Sequence, residues 1–164
     1  MIVTARGKTD QGLVRPNNED NFYLDEKRGL LVVADGMGGH ASGETASQLA
    51  VNIIRDYFQG AQKPAGTDDR SWSAGTNRLK SAILLANQAV FEAAQSSPQF
   101  KGMGTTVAAV LLTGNRLSIA HIGDSRVYLI RAGGIEQLTD DHSMVNEQVK
   151  REVITKEEAL RSEM

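Results

Sequence analysis

Leu30-Leu31-Val32-Val33-Ala34-Asp35-Gly36-Met37-Gly38-Gly39-His40 is the stretch on which the fold turns. Its first five residues form a short apolar run, the pattern of a buried strand, and glycines end such a strand sharply. Asp35 is thereby carried to a strand end, on backbone open enough for an ion or a phosphate to approach closely. A carboxylate drawn partly out of water needs a cation or a hydrogen-bond network to offset the cost. Asp35-Gly36 also fits a plain hairpin turn, and from this stretch alone the two readings weigh equally.

On the N-terminal side, residues 1–34 read as strands joined by a polar, turn-rich loop. That loop carries Gly12, Arg15, Pro16, Asn17, Asn18, Glu19, Asp20 and Asn21, and a strand follows at Phe22-Tyr23-Leu24. On the C-terminal side the period changes. Across residues 44–58, Ala46, Leu49, Ala50, Val51, Ile53, Ile54 and Tyr57 follow the spacing of one buried helix face. Ser42 is placed to cap that helix, its hydroxyl accepting from an early backbone N–H. Residues 59–75 read as a polar surface loop. A second amphipathic helix is predicted over 77–95, with Leu79, Ala82, Ile83, Ala86, Ala89, Val90 and Ala93 inward; its alanines favour close packing on the first helix or a sheet.

Strands then return over 105–112, 117–122, 126–131 and 135–138, with turns at Gly114-Asn115 and Gly133-Gly134. Short strands in direct succession make an antiparallel meander, not a βαβ pattern. From Ser143 the tail reads as helical and polar. Val145, Val149 and Val153 form a thin apolar stripe, and Thr155-Lys156-Glu157-Glu158 is a capping box. So narrow an apolar face marks a flap rather than core.

The 164 residues suffice for one domain with a sizeable core, since a domain near this size buries roughly 70% of its unfolded surface. No repeat, low-complexity tract or linker divides the chain, so 1–164 reads as a single domain. A net charge of -2 gives no electrostatic reason to expect nucleic acid or an anionic membrane as partner. The absence of cysteine excludes a disulfide framework and a thiolate metal site, and fits a reducing cytosol. No segment approaches the roughly 20 apolar residues that span a bilayer, and the N-terminus lacks the apolar core of a signal peptide. The expectation is a cytoplasmic protein.

Glu19, Asp20, Asp35 and Asp124, the last in Gly123-Asp124-Ser125-Arg126, are acidic residues at strand ends or in loops. Apart from Arg15, four residues before Glu19, no Lys or Arg stands at a helical pairing distance from them. Oxygen ligands without cysteine suit hard cations such as Mg²⁺ or Mn²⁺. Each position taken singly fits a solvated carboxylate. Their joint occurrence, with Arg15 four residues before Glu19, favours a site.

At this point the sequence resembles the metal-dependent protein serine/threonine phosphatases of type 2C, the PPM family, in their bacterial form. The matching segments are Thr9-Asp10-Gln11-Gly12, Arg15-Pro16-Asn17-Asn18-Glu19-Asp20-Asn21 and Val32-Val33-Ala34-Asp35-Gly36-Met37-Gly38-Gly39-His40. Gly104-Thr105-Thr106, Gly123-Asp124-Ser125-Arg126 and Leu138-Thr139-Asp140-Asp141-His142-Ser143 follow in the family's order, over nearly the whole chain. The resemblance implies an α+β fold, a four-layer αββα sandwich of two antiparallel sheets flanked by helices, with a two-metal centre at one edge. It implies two catalytic Mg²⁺ or Mn²⁺ ions and a third, weaker one. Asp35 resembles the carboxylate that bridges the two metals, and Glu19 and the backbone carbonyl of Gly36 resemble further ligands. Asp20 is similar to the acid that orients a metal-bound water, Arg15 to the arginine that grips the phosphate, and Asp124 to a ligand of the third metal.

The activity so implied is hydrolysis of phosphoserine and phosphothreonine in phosphorylated protein substrates. A metal-bound water is the nucleophile, and no covalent phosphoenzyme forms. His40 has two readings. The eukaryotic branch of the family carries its acid-base histidine immediately after Asp-Gly, where Met37 stands here; His40 either assists proton transfer or packs the loop. His121, in a strand, reads as structural, and His142 as a hydrogen-bonded loop residue.

Family members continue with strands that carry two further aspartates, one in an Asp-Gly and one in an Asp-Asn motif, and neither motif follows Leu138. The resemblance therefore implies a chain truncated at its C-terminus, with weak or no turnover and with sheet edges open to self-association. Two other readings stay open: a non-catalytic module of the same fold that binds phosphoproteins through Arg15, and a metal-dependent hydrolase of small phosphate esters.

Overall fold

Alternation along the Leu30 stretch decides the layering. In the computed structural model, which describes residues 2–38, 42–60 and 68–142, Leu30, Val32 and Ala34 are buried while Val33 and Asp35 on the opposite face are exposed. A strand has a side-chain period of two, so one face is core and the other carries Asp35 to solvent. Gly39, His40, most of the loop between the helices and the polar tail from Ser143 lie outside the described residues.

Strand β1 (Asp20–Asp25) pairs antiparallel with β2 (Leu30–Met37). After helices α1 (Ser42–Phe58) and α2 (Ala74–Ser96) come β3 (Gly104–Thr105), β4 (Val107–Thr113) and β5 (Arg116–Ile122). These form one five-stranded sheet in the order β1-β2-β4-β5, with β3 pairing to the end of β2. The hairpin β6 (Tyr128–Arg131) and β7 (Gly134–Gln137) makes a second, two-stranded sheet. The architecture is the expected α+β sandwich, two antiparallel sheets flanked by helices, and every strand pair is antiparallel.

Both helices lie on the core face of the large sheet. Ala46, Ala50 and Ile54 of α1 and Leu79, Ala82, Ile83 and Ala86 of α2 join Leu30, Val32, Val107, Ala109 and Leu111 in one cluster. The small side chains bring the helices close to each other and to the sheet. Fully buried Leu30, Ile54 and Leu79 anchor the packing, each contributing about 1.5–3 kcal/mol on leaving water. Among the described residues no helix is long and apolar enough to cross a membrane.

Four local expectations are corrected. Residues 2–10, expected to include a strand, have no ladder partner among the described residues; the Ala5 N–H donates instead to Glu26 Oε1 at 2.8 Å. Ser42 is itself the first residue of α1, and its hydroxyl donates to the Gln99 carbonyl at 3.0 Å. Helix α2 begins at Ala74, earlier than its apolar spacing suggests, because the Ser73 hydroxyl caps it by accepting from the Thr76 N–H at 3.1 Å. The strand over 105–112 is interrupted at Thr106, which separates β3 from β4.

Candidate functional site

The β1–β2 register sets Asp20 directly opposite Asp35 at the end of the ladder. Residues paired in this way project from the same face, and like charges there repel. The two carboxyl groups line the same cleft. Asp35 stays accessible at its strand end, yet its partial withdrawal from water raises its pKa above the ordinary carboxylate value. The charges of Asp20 and Asp124 push the same way, and Arg15 opposes them. Asp20 is fixed by a short relay. Thr9 Oγ1 donates to Asp20 Oδ2 at 3.2 Å, Asn18 Nδ2 donates to Thr9 Oγ1 at 2.8 Å, and Asn18 Oδ1 accepts the Asp20 N–H at 3.1 Å.

Glu19 uses its backbone and its side chain in different directions. Its carbonyl accepts from the Gly36 N–H at 3.1 Å and from the Ser47 hydroxyl at 2.6 Å. Its carboxylate rests against Gly43 in the first turn of α1, where free N–H groups and the helix dipole favour an anion. The end of β2 crosses α1 so closely here that a Cβ at Gly36 would run into the Gly43 carbonyl, and one at Gly43 into the Glu19 carboxylate. Both glycines are required by this approach, which brings the Gly36 backbone to the cleft floor.

Arg15, Glu19, Asp20, Asp35, Gly36 and Asp124 line one open cleft of about 890 Å³. The Arg15 turn is held by Gln11, whose Nε2 donates to the carbonyls of Arg15 and Pro16 at 2.9 and 2.6 Å. Among the described residues no carboxylate forms an ion pair with the Arg15 guanidinium. Asp124 sits on a loop clamped by the segment after β7. Arg126 Nε donates to both Asp141 oxygens, at 2.9 and 3.0 Å, and the His142 N–H donates to the Gly123 carbonyl at 3.0 Å. The Arg126 hydrogen bonds hold the Asp141 carboxyl below the ordinary range. His121 Nε2 lies 2.8 Å from the Asp140 carbonyl, and its ring packs 4.6 Å from that of His142. Both histidines therefore do structural work, as their sequence positions suggest.

The structure thus brings together Arg15, Glu19, Asp20, Asp35, the Gly36 backbone and Asp124, while His40 lies outside the described residues. Among the described residues no three Asp, Glu or His side chains converge into a metal-binding group. The donors are nevertheless of the right kind. They are all oxygen, and a hard divalent cation at Asp35 would offset both its withdrawal from water and the charges of Asp20 and Asp124, which raise its pKa. Thr9, Asn18 and Thr106 complete the surroundings, and reading the sequence assigned them no part. Asn18, two residues before Asp20, carries the one local signal, an Asx-type bond to the backbone two residues on.

Residues 14–162 match the family described as Protein phosphatase 2C. The chain is 40% identical over 159 residues to the serine/threonine protein phosphatase PstP of Mycobacterium tuberculosis, covering 97% of this chain and 29% of that protein. A crystal structure of the PstP catalytic domain in complex with two manganese ions superposes with a TM-score of 0.74 at 43% identity, covering 93% of this chain and 61% of that one. The PPM Ser-Thr phosphatase MsPP from Mycobacterium smegmatis, in complex with cacodylate, gives a TM-score of 0.74 at 37% identity, covering 96% and 62%. The chain spans less than a third of full-length PstP and about three fifths of the two solved chains. With the family match running from the turn before Arg15 through the Asp124 loop and beyond, the chain belongs to the bacterial branch of the metal-dependent protein phosphatase 2C family.

Proposed function

We propose that this chain serves the hydrolysis of phosphoserine and phosphothreonine in phosphorylated proteins, in the cytoplasm, as part of a single catalytic domain. The observation that carries the reading is the Asp20–Asp35 carboxyl pair facing the same cleft as Arg15. A site that calls for cations there adjoins one that calls for an anion. Asp35 would hold the Mg²⁺ or Mn²⁺ ions, with Glu19 and the Gly36 carbonyl as further ligands and Asp124 serving a third, weaker ion. A related catalytic domain binds two manganese ions, which supports a two-ion centre. When bound, such ions lower the pKa of water and neutralise charge on the phosphoryl oxygens.

The protein's own groups do the rest. Arg15 presents a planar, permanently charged fork that suits two phosphate oxygens better than a lysine would. Asp20, aimed by Thr9 and Asn18, orients the attacking water by accepting its hydrogen bond. His40, four residues after Gly36 in the sequence, is the candidate for assisting proton transfer. The described residues supply one close carboxyl pair with Asp124 alongside. That set falls short of a three-ligand metal group among the described residues, so turnover by this chain is expected to be weak.

A phosphothreonine peptide titrated with Mn²⁺ tests the reading, comparing the chain with Arg15→Ala. Peptide binding and slow, Mn²⁺-dependent phosphate release are expected, and R15A should lose peptide binding while keeping its Mn²⁺ affinity. Binding without release at any Mn²⁺ concentration would favour a non-catalytic phosphoprotein-binding module. Faster release from a small ester than from the peptide would favour a small-ester hydrolase. Loss of Mn²⁺ affinity in R15A would refute the role given to Arg15.

A further inference from the structure

Thr106 stands in the break between β3 and β4, and it touches two of the segments that deliver carboxylates to the cleft, the end of β2 and the Asp124 loop. Its N–H donates to the Asp35 carbonyl at 2.9 Å, and its Oγ1 accepts from the Asp35 N–H at 2.9 Å. One residue therefore satisfies both backbone groups of Asp35. The neighbouring Thr105 hydroxyl adds a second bond to the Asp35 carbonyl at 3.0 Å.

The same Thr106 Oγ1 lies 2.6 Å from Ser125 Oγ, the residue after Asp124. A hydroxyl has one donor and two acceptor positions, so it can serve the Asp35 N–H and Ser125 together. The methyl group is used as well. Gly123, at φ +95, approaches so closely that a Cβ there would fall 2.7 Å from Thr106 Cγ2. Thr106 thus ties a residue 71 positions earlier in the chain to a loop 19 positions later.

We infer that Thr106 is a positioning residue that locks the Asp35 strand end and the Asp124 loop into one unit. The inference rests on the reading of Asp35 and Asp124 as ion ligands given above. Ligand groups have to be held within about half an ångström to act together. Residues that orient them typically change metal affinity by roughly 10–100-fold when replaced. Through this one side chain the backbone of Asp35 is joined to the 123–126 loop.

Thr106→Val keeps the shape, leaves the Asp35 N–H without its acceptor and cuts the link to Ser125; Thr106→Ser keeps the hydroxyl and removes only the methyl. In the metal-free protein, hydrogen exchange should quicken at the Asp35 amide and across 123–126 in T106V, with the β4–β5 ladder unchanged and T106S close to the parent. Calorimetry with Mn²⁺ should show T106V weakened by about 10–100-fold and T106S largely restored. Adding Ser125→Ala to T106V should cost little more, because the two hydroxyls act as a pair. Unchanged exchange at Asp35, or exchange quickened throughout the sheet, would overturn the inference. So would T106V binding Mn²⁺ as tightly as the parent. If the parent itself takes up no Mn²⁺, the functional reading fails separately, and the exchange comparison still decides for or against Thr106.

Discussion

At the scale of single residues, the most consequential one is Asp35, held in a position that costs the fold something in the absence of a cation. Its pKa is raised by withdrawal from water and by the neighbouring charges of Asp20 and Asp124. A folded-state pKa above the unfolded value means that, at neutral pH, the ionised carboxylate destabilises the folded state relative to the unfolded chain. Asp35→Asn removes that charge and keeps the side chain's size. The variant should melt at a higher temperature than the parent when both are metal-free at pH 7, and added Mn²⁺ should reverse the order by stabilising only the parent. A metal-free D35N that melts lower than the parent would show that Asp35 is held by stabilising contacts instead. The sequence identified Asp35, Glu19, Asp20 and Asp124 as candidates from residue type and strand-end placement alone. It could not show that Asp20 faces Asp35, because that depends on register, nor that Thr9 and Thr106 hold them, because a threonine hydroxyl leaves no pattern along the chain.

At the scale of elements, the β6–β7 hairpin and the clamp after it show where local sequence rules bend. The two-residue turn is Ala132-Gly133, with φ values of 51 and 81, one position earlier than the Gly133-Gly134 pair suggests. Both central residues are left-handed, as in a type I′ turn. An alanine in that region is strained by about 1–2 kcal/mol. Ala132→Asn, which tolerates the conformation, should raise the urea midpoint at unchanged m-value, by a stability gain of about 0.5–1 kcal/mol. A lower midpoint would mean the turn is of another type. The clamp is electrostatic. Arg126 hydrogen bonds lower the Asp141 pKa in the folded state, so their stabilisation is present above the ordinary carboxylate pKa and fades as pH falls through the depressed folded value. Asp141→Asn should therefore be less stable than the parent at pH 7, with the gap closing on acidification. A gap that stays constant with pH would assign the effect to packing.

At the scale of the whole molecule, the features legible in the sequence are those with a regular period. The alternation of Leu30 to Ala34, the apolar faces of both helices and the succession of short strands all reappear in the structure. What escaped were one local cap and features set by contacts distant in sequence. Ser73 caps α2 although the residues after it read as loop; its hydroxyl also lies 3.1 Å from that of Ser118 on β5, a contact no local pattern announces. Thr106 breaks a strand that reads as continuous, because it is shared between Asp35 and Ser125. Gly36 and Gly43 look like loop glycines, yet they mark where β2 crosses α1 at close range. The large sheet and its helices thus act as a frame at whose open end carboxylates from the start of β1, the end of β2 and the Asp124 loop line one cleft. That this end is a divalent-cation site is the central claim, and calorimetric titration of Mn²⁺ into the metal-free chain and into Asp35→Asn tests it most directly. The account predicts saturable binding by the parent that disappears in D35N; equal affinity in the two proteins would contradict it.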